Sequence, residues 1–345
     1  MRKGFYTTLI LAFALLASAC GKQEVPANSS ELQQVQEPPS SPEEQEEKET
    51  FRYVTPLTGM GTNEELPKRV VMVMINNAPP ARPQSGLDKA DIVYEVLAEG
   101  SITRFVGIYH SQEPKVIGPV RSIRPYYIDI GSGFDAIMVH AGGSPDALAT
   151  LKGMAHMDEI HNAGGFFWRE SFRKAPHNLY TDLDKIRKGA NSLGFRKEAE
   201  IPTLTFIDPD HEATGVTANT INVRYANDYQ IGYEYDEDSK SYKRYTEGKP
   251  HTDLTTGEQL MATNLLVITS THRILDNEGR RDVDVYGPGK GYLFQRGKAQ
   301  EITWERRGGL IRAYAGGQEV PMYPGKTWVN IIPKGSTIED SIQFY

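Results

Sequence analysis

Phe134-Asp135-Ala136-Ile137-Met138-Val139-His140 runs directly into Ala141-Gly142-Gly143-Ser144-Pro145, and Asp146-Ala147-Leu148-Ala149-Thr150-Leu151 follows. The first seven residues read as a short strand. Ser144 suits a helix N-cap, because its hydroxyl can accept from a backbone N–H of the first turn. Pro145 suits the first helical position, where an N–H lacks an intrahelical partner in any case. A strand that turns through glycines into a helix is a unit of a layered α/β domain.

Working outward, Arg69 to Ile75 carries Val-Val-Met-Val-Met-Ile and reads as a buried strand. Asp91–Ala98 and Ile102–His110 are β-rich runs joined by Glu99-Gly100, the pattern of a hairpin. Lys115–Val120 reads as another strand. Residues 52–205 are therefore expected to form an α/β domain with a mixed sheet. Pro/Gly punctuation at about 200–218 marks a boundary. Beyond it Ile221–Tyr225, Gly232–Tyr235, Tyr242–Thr246, Asn264–Ser270 and Arg281–Val285 read as short strands. Gly289–Arg296, Glu301–Glu305, Leu310–Tyr314 and Lys326–Ile332 continue the series, with turns such as Glu247-Gly248 and Gly316-Gly317 between them. Residues 218–345 are expected to form a mainly antiparallel β domain with Trp304 and Trp328 in its core. The fold class expected for the whole is α+β.

Chemistry concentrates between Arg104 and Asn178. Glycines after a strand let a ligand approach the backbone, and free N–H groups gather where a helix begins. An arginine fork binds two oxygens of a phosphate or carboxylate at once. Arg104, Arg121, Arg124, His140, Gly142, Gly143, Ser144, Arg169, Arg173, His177 and Asn178 are the candidate residues of an anion site. In the competing reading Ser144 only caps its helix and the arginines pair with local acids. No metal site is expected. His156 and His161 sit five apart, whereas ligands on one helical face sit four apart. There is no G-x-S-x-G elbow, and no cofactor is called for. His251-Thr252-Asp253 and Thr271-His272-Arg273 read equally as ligand-facing or as ordinary turn residues.

Arg2 and Lys3 open a leader whose apolar core, Phe5–Ala19, ends in Leu16-Ala17-Ser18-Ala19-Cys20. The core is shorter than the roughly 20 apolar residues of a membrane span. Residues 1–19 read as a signal peptide. The run before Cys20 resembles the lipobox of bacterial lipoproteins, which implies a diacylglyceryl group on Cys20 and a protein held at the extracytoplasmic face of the cell membrane. Cys20 is the single Cys, so no internal disulfide is available. The segment through residue 51 holds eight Glu against Lys22 and Lys48 and reads as a disordered acidic spacer. With +2 in the leader and −6 in this spacer, a total of −7 leaves −3 from residue 52 on. That balance, without a basic block, argues against a nucleic-acid partner.

Several of these motifs carry a resemblance. Ile102-Thr103-Arg104-Phe105, Gly118-Pro119-Val120-Arg121-Ser122-Ile123-Arg124 and the His140 to Pro145 turn are similar to YerB-type lipoproteins of Bacillus and relatives. Ala175-Pro176-His177-Asn178, Gly325-Lys326-Thr327-Trp328 and the lipobox add to the likeness, which covers nearly the whole chain in two successive domains. Val120-Arg121-Ser122-Ile123-Arg124 also resembles, more faintly, the LytR-CpsA-Psr enzymes. Those attach wall polymers and hold a polyprenyl pyrophosphate with arginines. They read Ser-Ile-Pro-Arg-Asp where this chain has Ser122-Ile123-Arg124-Pro125-Tyr126, and the nearest acid is Asp129. Three functions follow as expectations. One is an envelope lipoprotein that binds an anionic wall- or lipid-linked ligand. Another is an envelope enzyme on a phosphodiester or pyrophosphate, with His140, Asp129 or His177 for acid–base chemistry. A third is a structural partner of another envelope protein.

Overall fold

Val71, Val73 and Ile75 point into one core while Met72 and Met74 point into another. Strands alternate sides residue by residue, so a continuous apolar run means a sheet covered on both faces. A computed structural model shows this arrangement for residues 50–345, the described part of the chain. The leader, Cys20 and the acidic spacer as far as residue 49 lie outside the described residues.

In chain order the principal strands of the first half are β1 (Val71–Asn76), β2 (Ile92–Leu97), β3 (Thr103–Tyr109), β4 (Ile137–His140) and β5 (His156–Asp158). The second half adds β6 (Thr220–Ala226), β7 (Tyr229–Asp236), β8 (Ser241–Thr246), β9 (Asn264–Ser270) and β10 (Gly289–Gln295). It ends with β11 (Lys298–Arg307), β12 (Leu310–Ala315) and β13 (Thr327–Pro333). The helices are α1 (Pro125–Ser132), α2 (Pro145–Thr150) and α3 (Leu183–Ser192).

One mixed sheet of twelve strands runs β12-β11-β10-β9-β13-β2-β3-β1-β4-β5, with Gln318–Glu319 beyond β12 and Val216–Thr217 alongside β11. The sheet does not stop at residues 206–217. β13 pairs in parallel with β2 (Trp328 opposite Val93) and with β9 (Trp328 opposite Leu265). A second, antiparallel sheet holds β6, β7 and β8 and covers one face. Its Tyr225, Tyr229, Tyr233 and Tyr242 share a core with Leu265, Phe294 and Trp328, and α3 adds Leu183 and Ile186 there. On the other face Tyr126, Tyr127 and Ile130 of α1 and Ala147 of α2 pack with Met72, Met74, Val106 and Ile108.

Two expectations are corrected. The described residues are mainly β, because the three α-helices among them have only eight, six and ten residues and serve as covers over sheet faces. Lys115–Val120 forms no strand of its own; Ile117, Gly118 and Val120 make single bridges to Thr181, Ser85 and Ile75. Trp304 and Trp328 are buried.

Candidate functional site

The hairpin of β2 and β3 turns at Glu99, and β3 presents Arg104 beside it. Arg104 Nη2 donates to Glu99 Oε2 at 2.7 Å. Arg124, the residue before α1, donates from Nε to Glu99 Oε1 at 2.8 Å and from Nη1 to the Ile123 carbonyl at 2.6 Å. Burial opposes ionisation of Glu99, but Arg104 and Arg124 together hold its carboxyl below the usual range. Arg121 is half-buried beside this pair. Its backbone N–H bonds to Met74 O and its carbonyl accepts from Ala141 N. Among the described residues its guanidinium has neither a hydrogen-bond acceptor nor a carboxylate within ion-pair distance. Burial, then the neighbouring Arg104, lowers its pKa.

His177 stands on the other side of Arg121. Asn76 Nδ2 donates to its Nδ1 at 2.9 Å, so the ring proton lies on Nε2. Burial, Arg121 and Arg173 lower its pKa. Arg173 is fixed by Ala81 O and Tyr180 Oη, both at 2.8 Å. Arg104, Arg121 and Arg124 therefore form a cationic group at the Glu99 carboxylate, and His177 adjoins it through Arg121.

The other expected residues do different things. Gly142 N–H bonds to Asp158 Oδ1 at 2.7 Å, and Gly142 O accepts from Ile123 N. Ser144 N–H bonds to Ile123 O, and Ser144 Oγ caps α2 at Ala147 N. The Gly-Gly-Ser turn thus backs the Arg121–Arg124 segment, with its Gly142 and Ser144 N–H groups taken by Asp158 and Ile123. His140 is enclosed. Its Nδ1 must donate to Gly142 O at 2.9 Å, which leaves Nε2 to accept from His156 Nδ1 at 3.1 Å. Burial pushes the His140 pKa down to about 4. Arg169 is matched by Glu159 and by Asn178 Oδ1, both at 3.1 Å. Asn178 in turn donates to Glu170 O. Among the described residues no three His, Cys, Asp or Glu side chains converge as metal ligands.

Sequence reasoning missed Glu99, although an acid in the hairpin turn five residues before Arg104 was a usable signal. It also missed Glu95. That side chain is fully buried with Arg244, Nη2 to Oε2 at 2.7 Å. Glu95 Oε1 accepts from Thr103 Oγ1 at 2.7 Å, Tyr229 Oη at 2.8 Å and Asn77 Nδ2 at 3.1 Å. The Arg244 guanidinium lies 4.8 Å above the Trp328 ring and donates to His251 Nδ1 at 3.1 Å. His251 is therefore part of the buried network. His272 lies on the strand His272–Ile274, paired with Arg281–Val283. Asp253 is buried against Asp88, which lines a separate cleft of about 760 Å³. Asp88, Glu258, Lys326 and Arg296 line that cleft, so charges of both signs are mixed there.

Residues 57–196 match the family described as "Protein of unknown function (DUF3048) N-terminal domain", and residues 221–329 match its C-terminal domain. The chain is 42% identical over 284 residues to the Bacillus subtilis (strain 168) protein named "Putative lipoprotein YerB", covering 81% of this chain and 86% of that one. The crystal structure of the YerB protein from Bacillus subtilis is similar with a TM-score of 0.78 at 40% identity, over 85% of this chain and all of that one. The fainter likeness to LytR-CpsA-Psr enzymes finds no support in these matches.

Proposed function

Because the chain belongs to the DUF3048 family of YerB-type lipoproteins, we propose that it is a membrane-anchored envelope lipoprotein that holds an anionic wall- or lipid-linked ligand at the Arg121 group. The observation that carries this reading is the count of charges. Glu99 matches Arg104 and Arg124 only in part, and among the described residues the Arg121 guanidinium has no hydrogen-bond or ion-pair partner. An unpaired, half-buried guanidinium is costly unless an anion completes it. Asn76 holds the His177 Nε2–H where it can add a donor to the same anion.

The anchor in this proposal is the diacylglyceryl group on Cys20, which would place the protein at the extracytoplasmic face. Among the described residues no helix is long and apolar enough to cross a membrane. Two acyl chains on one Cys suffice for stable attachment. Labelling with radioactive palmitate tests this: wild type takes up label and Cys20→Ser does not.

Calorimetric titration with inorganic pyrophosphate tests the site. Binding is expected in wild type and is lost when Arg121→Ala is combined with Arg124→Ala. No binding in wild type, or binding indifferent to the double change, removes the proposal. A second reading, hydrolysis of a phosphodiester or pyrophosphate, has His177 as its acid–base group, since His140 is enclosed. Turnover lost in His177→Gln with the fold intact would favour it.

A further inference from the structure

The surroundings of the arginine group hold apolar residues that no core uses. Strand His272–Ile274 pairs with Arg281–Val283, with Ile274 directly opposite Arg281. Leu275 closes the turn by bonding its N–H to Arg280 O at 2.8 Å. Ile274 is 61% exposed and Leu275 53%. This hairpin rests on the tip of the β2–β3 hairpin. Arg281 Nη2 donates to Gly100 O at 2.6 Å, and Gly279 lies against the Gly100 backbone. Gly100 follows Glu99, the carboxylate that holds Arg104 and Arg124, and Ile102 two residues on is 42% exposed. The strand Arg281–Val283 also packs on α1, which begins directly after Arg124. Ile102 thus lies two residues before Arg104, and Ile274 and Leu275 lie on the hairpin whose Arg281 bonds to Gly100 beside Glu99.

Unsatisfied polar atoms mark the same place. Arg281 Nε and both nitrogens of His272 are buried without a hydrogen-bond partner. The hairpin's other arginines are matched, Arg273 by Asp282 and Arg280 by Asp276. Arg281 therefore joins Arg104, Arg121 and Arg124 as a cation without a carboxylate of its own beside the Glu99-Gly100 turn. A water-soluble anion would use the arginines and leave the three apolar side chains in water. An amphiphile uses both, because its phosphate meets the guanidinium groups while its chain covers the apolar rim.

Resting on the anion-site reading above, we infer that the phosphate bound at Arg121 is borne by a lipid, whose hydrocarbon chain lies over Ile102, Ile274 and Leu275. The probe is dihexanoyl phosphatidic acid as a monomer, compared with glycerol 3-phosphate, which has the same head without the chains. Wild type is expected to bind the lipid about tenfold or more tightly than glycerol 3-phosphate, since burying a few methylenes accounts for that ratio. The double variant Ile274→Ser, Leu275→Ser changes only exposed side chains. It is expected to bring the two affinities together without weakening glycerol 3-phosphate. Equal affinities in wild type overturn the inference and leave the anion site standing. A preference that survives in the double variant overturns the assigned path of the chain. If neither probe binds, or Arg121→Ala changes neither affinity, the anion site fails and the inference fails with it.

Discussion

Glu95 and Glu99 lie four residues apart on one hairpin, and their surroundings are opposites. Glu95 is inside, faces one arginine, and has its remaining oxygen capacity filled by Thr103, Tyr229 and Asn77. Glu99 is at the rim, shares its two oxygens between Arg104 and Arg124, and leaves Arg121 without a carboxylate. The difference follows from solvent. A charge sealed in the interior must be matched one to one, because an unmatched one costs several kcal/mol. Surplus charge persists only where water, or a ligand in its place, can reach it. The first arrangement joins the two sheets, since Glu95 is on β2 and Arg244 on β8. The second reaches solvent, as Glu99 and Arg121 are only partly buried.

Breaking the closed pair should have the largest effect. Arg244→Met leaves Glu95 buried without its cation and is expected to lower unfolding free energy by about 3–5 kcal/mol, read from urea midpoints. Adding Glu95→Leu should restore only part of this, because Asn77, Thr103 and Tyr229 then lack their acceptor. An Arg244→Met protein as stable as wild type would mean that the pair does not hold the sheets together.

Two histidines extend the comparison. His140 is sealed and neutral, with its folded pKa near 4 against an unfolded value of 6.5. Between those values the unfolded chain binds the extra proton, so stability present above pH 6.5 is lost as pH falls toward 4. The loss from this one group is about 3 kcal/mol. The slope should flatten in His140→Asn, measured by denaturation at successive pH values.

Changes at the open site should move affinity more than stability. Glu99→Gln releases Arg104 and Arg124 and is expected to tighten pyrophosphate binding by about 1 kcal/mol, with a steeper salt dependence. Weaker binding would mean that Glu99 positions the arginines more than it competes with the ligand. The smallest effect belongs to His177. Its free pKa lies below the ordinary value, so it gains a proton only as pH falls, and pyrophosphate affinity should rise a few-fold below pH 6.5. In His177→Gln that rise should be absent from the calorimetric titrations.

Much of the local structure was legible in the sequence. The apolar run of β1, the hairpin around Glu99 and the Ser144 cap each declare themselves through short-range chemistry. Helix α3 had such a signal too, since Asp182 accepts from Lys185 N and Leu183, Ile186 and Ala190 line one face. Helix α1 was hidden because its entry, Arg124-Pro125, reads as the end of a motif. The course of the large sheet was not legible. β13 and β2 are more than two hundred residues apart, and nothing local tells Trp328 that Val93 is its partner. Of the site, the arginines were readable by type. Which of them would be matched depended on the placement of Glu99 and Glu159. That Asp158, on another strand, takes the Gly142 N–H is equally invisible to local sequence.

If a ligand completes the Arg121 guanidinium, removing that side chain should cost affinity and spare the fold. The direct measurement is Arg121→Ala, with pyrophosphate affinity and unfolding free energy determined on the same preparation. Affinity is expected to fall by at least about tenfold while stability stays within about 0.5 kcal/mol of wild type or rises. A stability loss of several kcal/mol with affinity unchanged would contradict the account, making Arg121 part of the scaffold.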